Sequence, residues 1–205
     1  MMTLHWSPRS PYVRKVMIAA HEMGLSERLN TVRTVVGGIT PHLELMRENP
    51  LGKIPTLVLE DGTILFDSPV ICEYLDTLHG GPKLYPPSGP DRFIALRRHA
   101  LGSGMIDMGL LLLGERSRPE AQRSAPHMEL WTLKLRSGVA ALEPEAEALA
   151  ATPFGIGHVA IGVALGYLDF RFDALQWRDG HPRLAAWYAG FLARPSVQAN
   201  LPAEG

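Results

Sequence analysis

A single cysteine stands among the 205 residues, so no internal disulfide can form and nothing points to an oxidising compartment. Charge of one sign is also missing. Twenty Lys and Arg against 21 Asp and Glu leave a formal net charge of −1, without the clustered basic surface that meets nucleic acid or an anionic membrane. The longest apolar run, residues 159–168, is about half of the ~20 residues a spanning helix needs and holds two glycines. The first twenty residues carry Pro8, Arg9, Pro11, Arg14 and Lys15 where an export signal needs an apolar core. These absences exclude nucleic acid and membrane as partners and predict a cytoplasmic protein. His5, His21, His42, His79, His99, His127, His158 and His181 include no pair spaced three or four apart, so no His/Cys metal site is expected. Gly37-Gly38 and Gly155-Ile156-Gly157 satisfy neither a dinucleotide nor a P-loop fingerprint, and no Gly-x-Ser-x-Gly elbow occurs.

What is there is a globular composition, 46% hydrophobic and 20% charged, on a chain long enough for one large domain or two small ones. Proline and glycine are densest at residues 80–90, Gly-Gly-Pro-Lys-Leu-Tyr-Pro-Pro-Ser-Gly-Pro, which reads as a linker. Before it, residues 3–6 are β-prone, and residues 12–23 carry Val13, Val16, Met17 and Ala20 at helical spacing. Residues 29–36 read as a strand, followed by a polar segment with Leu43 and Met46. Residues 56–59 and 63–66 form two strands around Asp61-Gly62, a hairpin signal. Ser68 is then a candidate N-cap with Pro69 at the first helical position. The order is β-α-β-α-β-β-α over residues 1–79. Residues 91–205 read as all-helical, with helices near 91–117, 127–150 (broken at Pro144), 157–173 and 182–193.

Three segments carry candidate chemistry. In Ser7-Pro8-Arg9-Ser10-Pro11-Tyr12 a strand runs directly into a helix, placing a hydroxyl at a helix N-terminus that favours anions; Ser7 or Ser10 equally suits a plain cap. In Asn49-Pro50-Leu51-Gly52-Lys53-Ile54-Pro55-Thr56 the proline directly before a strand asks for a special conformation, cis or an ordinary trans turn. Phe66-Asp67-Ser68-Pro69 sets a carboxylate and a hydroxyl at another helix start, again with capping as the simple alternative.

Taken together in this order, and with the terminal His-Pro-Arg-Leu-Ala-Ala-Trp-Tyr-Ala-Gly-Phe-Leu-Ala-Arg-Pro-Ser-Val-Gln, the segments resemble the cytosolic glutathione transferase superfamily across nearly the whole chain. The likeness is to its bacterial, serine-type branch, since no Tyr precedes Tyr12. The resemblance implies a thioredoxin-like first domain (residues 1–79), a linker (80–90), an all-helical bundle (91–205) and a homodimer. It implies glutathione as co-substrate and no metal. Ser10 matches the thiolate-stabilising position, with Ser7 as competitor. Ile54 is implied to pair its backbone with the cysteinyl part of glutathione, in a geometry set by cis-Pro55. Asp67 is implied to meet the α-ammonium, Ser68 the α-carboxylate and Lys53 the glycine carboxylate. Met105, Met108, Leu112 and Tyr167 are candidates for the electrophile pocket, with ordinary interhelical core as the other reading.

The implied reaction is conjugation of glutathione to a small hydrophobic electrophile. Glutathione-dependent peroxide reduction or thiol exchange, and a non-catalytic binding or regulatory role, are the alternatives. Two details depart from regularity. Gly102, Gly104 and Gly109 weaken one helix by up to about 1 kcal/mol each and either leave room for a ligand or admit a close neighbour. The sixth helix of the family starts with a Ser/Thr-x-x-Asp box, whereas here Gly155-Ile156-Gly157-His158 stands, and His158 is expected to leave the return bond of that box unmade.

Overall fold

Strand β1 (Met2–Trp6) turns Met2 and Leu4 into the core by simple alternation, and helix α1 (Pro11–Glu22) follows it. Strand β2 (Leu29–Arg33) returns parallel to β1, completing a β-α-β crossover. This computed structural model describes residues 1–204. A four-residue helix, α2 (Leu45–Glu48), lies in the segment that read as merely polar; its Leu45 is buried in a cluster with Val13 and Ile54. Strand β3 (Thr56–Val58) pairs antiparallel with β1, His5 opposite Thr56, and with β4 (Ile64–Leu65), giving the sheet order β2-β1-β3-β4. The Asp-Gly turn forms as its sequence requires: Gly62 has φ +85°, and Asp61 Oδ1 accepts the Thr63 N–H at 2.9 Å.

Helix α3 (Ser68–Thr77) packs against α1. Asp67, not Ser68, occupies its N-cap position, so Ser68 is the first helical residue and Pro69 the second. The segment after α3 is tied down by a buried carboxylate. Asp76 Oδ1 accepts the Leu84 N–H and Oδ2 the Tyr85 N–H, both at 3.0 Å, and Tyr85 donates its hydroxyl to Pro69 O at 3.1 Å. The proline-rich stretch is therefore anchored rather than a free tether.

The described chain divides into two compact units, residues 1–92 with the segment from Pro195 onward, and residues 93–194. The sequence places the whole of 91–205 in the helical half. In the structure a short terminal helix, α9 (Pro195–Gln198), lies against α1, where Ser196 Oγ donates to Glu22 Oε1 and Val197 is buried.

The second unit takes most of α4 (Gly89–Arg116), then α5 (Ala125–Leu142), α6 (Ala146–Ala151), α7 (Ile156–Arg171) and α8 (Pro182–Leu192). The break at Pro144 falls between α5 and α6. Every residue of α7 from Ile156 to Leu168 is buried, which makes it the centre of the unit. Two glycines of α4 lie close against it, where an added side chain would collide. A Cβ on Gly102 would stand 2.5 Å from the Ala160 carbonyl carbon, and one on Gly109 would stand 2.9 Å from the Tyr167 ring. Gly102 and Gly109 thus serve close packing, while Gly104 has nothing within 4 Å.

Two helix starts in this unit are capped in ways the sequence conceals. Glu143 Oε2 accepts the Leu184 N–H at 2.9 Å and Oε1 the Arg183 N–H at 3.1 Å, so a carboxylate forty residues upstream caps α8. At α7, His158 Nδ1 accepts the Gly155 N–H at 3.0 Å. The return bond expected to be missing is made, by an imidazole in place of a carboxylate. An aromatic nitrogen at that position reaches the same backbone donor.

Candidate functional site

Ser10 ends the loop from β1 in an extended conformation and caps α1 through Oγ, which accepts the Val13 N–H at 3.3 Å. A hydroxyl has one hydrogen to give and two lone pairs to receive with. Capping uses a lone pair, so the Ser10 O–H remains free to donate, and the two roles set against each other at the sequence level are compatible. Ser7 is buried three residues earlier, where its carbonyl accepts the Ser10 N–H at 3.2 Å and closes the turn over Pro8 and Arg9. Lys15 is completely buried in α1, with its ammonium 5.1 Å from the centre of the Tyr12 ring. Nothing in the helical spacing announced a buried cation there.

The second candidate segment is the loop from Asn49 to Pro55. The Ile54–Pro55 bond is cis, which composition alone left open. Ile54 shares a cluster with Val13 and Leu45, with Trp6, Met17 and Val36 packed against it, so the first turn of α1 and the loop before β3 are side by side. Neither the N–H nor the C=O of Ile54 is hydrogen-bonded to another described residue, although its side chain is buried. Lys53 is exposed, and its ammonium has no partner among the described residues.

The third candidate segment is the start of α3. Asp67 follows a cis bond from Phe66 and presents an exposed carboxylate. Ser68 is 0% exposed, and its Oγ has no hydrogen-bond partner. A buried hydroxyl without a partner is uncommon and costly, and at a helix N-terminus it suits an incoming anion. One turn further along α3, Cys72 is fully enclosed. Burial pushes its thiol up to about 12, with nearby Lys15 pulling the other way, so this cysteine is an inert core residue. Among the described residues no cluster of His, Cys, Asp or Glu could hold a metal ion, and no helix is long and apolar enough to cross a membrane.

Ser10, Lys53, Ile54, Pro55, Asp67 and Ser68 all fall within the first unit, Lys53 being on the loop that carries Ile54. The four apolar candidates lie in the other unit. Met105 packs over Gly138, Leu112 is wholly buried, and Tyr167 sits edge-on to Phe172; only Met108 of the four is half-exposed. A separate cleft of about 430 Å³ in that unit is lined by Leu135, Val139, Leu168, Leu175 and Trp177, among others, and by none of the four. Sequence reasoning overlooked Asn49, whose buried carboxamide braces the Ile54 loop. Its one local signal is the Asn-Pro step, a mark of a side-chain-stabilised turn.

A mixed four-stranded sheet with a cis-proline loop facing a helix N-terminus, joined to an all-helical unit, defines a thioredoxin-like domain with a helical partner. Family comparison narrows this. The glutathione S-transferase N-terminal domain matches residues 9–78, and the C-terminal domain of the same family matches residues 125–190. A glutathione transferase family member from Pseudomonas fluorescens Pf-5, solved with bound glutathione, is 40% identical over the full length of both chains with a TM-score of 0.96. A second structure from that organism, holding S-(propanoic acid)-glutathione, is 39% identical, covers 98% of this chain and 100% of its own, and has a TM-score of 0.91. An uncharacterised GST-like protein of Escherichia coli K12, YibF, is 31% identical over 98% of each chain. The chain belongs to the glutathione S-transferase superfamily.

Proposed function

We propose that the protein is a cytoplasmic glutathione transferase that binds glutathione along the Ile54 edge, holds its sulfur as thiolate beside Ser10, and directs it at a small hydrophobic electrophile. The observation that carries this reading is the unpaired backbone of Ile54 next to cis-Pro55. It is a strand edge one residue long, suited to pairing with a short peptide. Ser68 Oγ, buried and unpartnered at the start of α3, suits the α-carboxylate, Asp67 the α-ammonium, and Lys53 the glycine carboxylate.

A free thiol with pKa near 8.5 is only a few per cent ionised at pH 7, and each unit of depression is worth about 1.4 kcal/mol of preferential thiolate binding. The Ser10 hydroxyl contributes by donating to the sulfur; it neither attacks nor needs a base. The thiolate then forms the carbon–sulfur bond, and the electrophile loses its leaving group or takes up a proton. Holding both reactants supplies the rest of the rate gain. Met108 is the one of the apolar candidates with surface to offer an electrophile. The Pseudomonas relative with S-(propanoic acid)-glutathione bound supports a site that tolerates a substituent on sulfur. Thiol exchange through a protein mixed disulfide is disfavoured, because position 10 is serine and Cys72 is buried. We also propose a homodimer, supported by the exposed apolar Leu51 and Val70 in the first unit and Phe93, Leu130 and Leu133 outside it.

Calorimetric titration of glutathione into the protein and into Ser10→Ala tests the reading. The expected result is binding to both, with the thiolate absorbance of bound glutathione and the turnover of a chloronitrobenzene lost in the variant. No binding to the parent protein overturns the function. Unchanged thiolate and turnover in the variant move the donor role from Ser10 to Ser7. Sedimentation at micromolar concentration reads the dimer.

A further inference from the structure

We propose that Asn49 is the positioning residue of this site, a side chain that aims the Ile54 N–H without touching the ligand. The inference rests on the glutathione-binding reading above and adds a residue to it. Asn49 is 2% exposed, and its carboxamide is fully engaged. Nδ2 donates to Lys53 O at 3.1 Å and to Thr56 Oγ1 at 3.0 Å, while Oδ1 accepts the Leu51 N–H at 3.1 Å. Thr56, itself completely buried, donates its hydroxyl to the same Lys53 O at 2.8 Å. Asn49, Thr56 and Lys53 O therefore form a closed triangle of hydrogen bonds inside the loop.

The consequence follows from peptide geometry. The Lys53–Ile54 bond is trans, and across a trans peptide the C=O and the next N–H point in opposite directions. With Lys53 O held inward by two donors, the Ile54 N–H is turned away from the triangle, and no described residue takes it. Leu51 and Lys53 are exposed, so apolar packing does little to hold the loop between Asn49 and Ile54. The direction of the Ile54 N–H offered to the peptide ligand is thus set by a polar triangle with Asn49 at its apex. Preorganising a donor in this way lowers the ordering cost that binding otherwise carries.

The test uses the full-length protein with glutathione as the probe. Asn49→Ala removes both donors to the triangle, Thr56→Val removes one, and Thr56→Ser keeps the hydroxyl. Asn49→Ala is expected to weaken glutathione binding and raise KM for glutathione about tenfold or more. Its kcat at saturating glutathione and the thiolate absorbance of the bound ligand should stay within about twofold of the parent, since Ser10 is untouched. Thr56→Val should fall between, and Thr56→Ser should match the parent. A general loss of structure would lower kcat along with affinity and would not be rescued by serine. If Asn49→Ala does not fold, the Thr56→Val and Thr56→Ser pair carries the same comparison. A folded Asn49→Ala or Thr56→Val that binds glutathione as the parent does overturns the assignment of Asn49 alone. A parent protein that binds no glutathione overturns the underlying reading, and a role for Asn49 toward that ligand with it.

Discussion

The Gly155 N–H points at Nδ1 of His158 across 3.0 Å, and the same ring reaches Leu149 O through Nε2 at 3.0 Å. The first contact requires an unprotonated Nδ1 and the second a protonated Nε2, so the bonds fix one neutral tautomer at the start of α7. Burial is the main reason its pKa lies below the usual 6.5, and the cations Arg98 and Arg194 act in the same direction against the pull of Leu149 O. A histidine with a depressed folded pKa contributes its stability fully above pH 6.5, and loses it as the pH falls from there through the folded value. Denaturant unfolding should therefore show a loss of stability as the pH falls below about 6.5 that is reduced in His158→Gln. At pH 8, His158→Ala should be less stable by about 1–3 kcal/mol, the cost of two abandoned backbone groups. Equal stability of parent and His158→Ala at pH 8 would show that the ring is not the cap.

Ser68 leads to a prediction with opposite signs for folding and binding. Its hydroxyl is enclosed without a partner, so removing it from the ligand-free protein relieves an unsatisfied group. Ser68→Ala should be as stable as the parent or more so by up to about 1 kcal/mol, yet bind glutathione about tenfold more weakly. Thermal unfolding and calorimetry on the same preparation read the two effects. A variant that loses stability and keeps its affinity would assign Ser68 to the core and away from the ligand.

The features legible in the sequence were those whose partners are near in the chain. The Asp61-Gly62 turn, Ser10 before Pro11 and the stripe of α1 each need only a few residues of context, and each formed where expected. The candidate site was readable for the same reason, as three short segments of unusual composition. Between Asp67 and Ser68 the cap could be placed only to within one residue, since either side chain suits the position. Features that escaped depend on distant partners. Asp76 spends its carboxylate on residues 84 and 85, and Glu143 meets α8 forty residues on. Neither carboxylate has a neighbour in the chain that would mark it as a cap. Lys15 likewise sat in a basic run that gave no hint of burial.

Gly102 and Gly104 stand two residues apart in α4 and face opposite demands. Helix propensity favours alanine over glycine by about 1 kcal/mol at either position. At Gly104 nothing stands within 4 Å of the added carbon, so Gly104→Ala should gain up to about that amount. At Gly102 the carbon would meet the Ala160 carbonyl carbon at 2.5 Å and its oxygen at 2.6 Å, backbone atoms in the middle of α7 that cannot rotate aside. The helices must separate, and overpacking of this kind costs about 1–3 kcal/mol or more, outweighing the propensity gain. Gly102→Ala should accordingly lower the denaturant midpoint while Gly104→Ala leaves it unchanged or raises it. Matching midpoints for the two variants would mean that α4 and α7 have slack at this crossing, and that the glycine is there for some reason other than close approach.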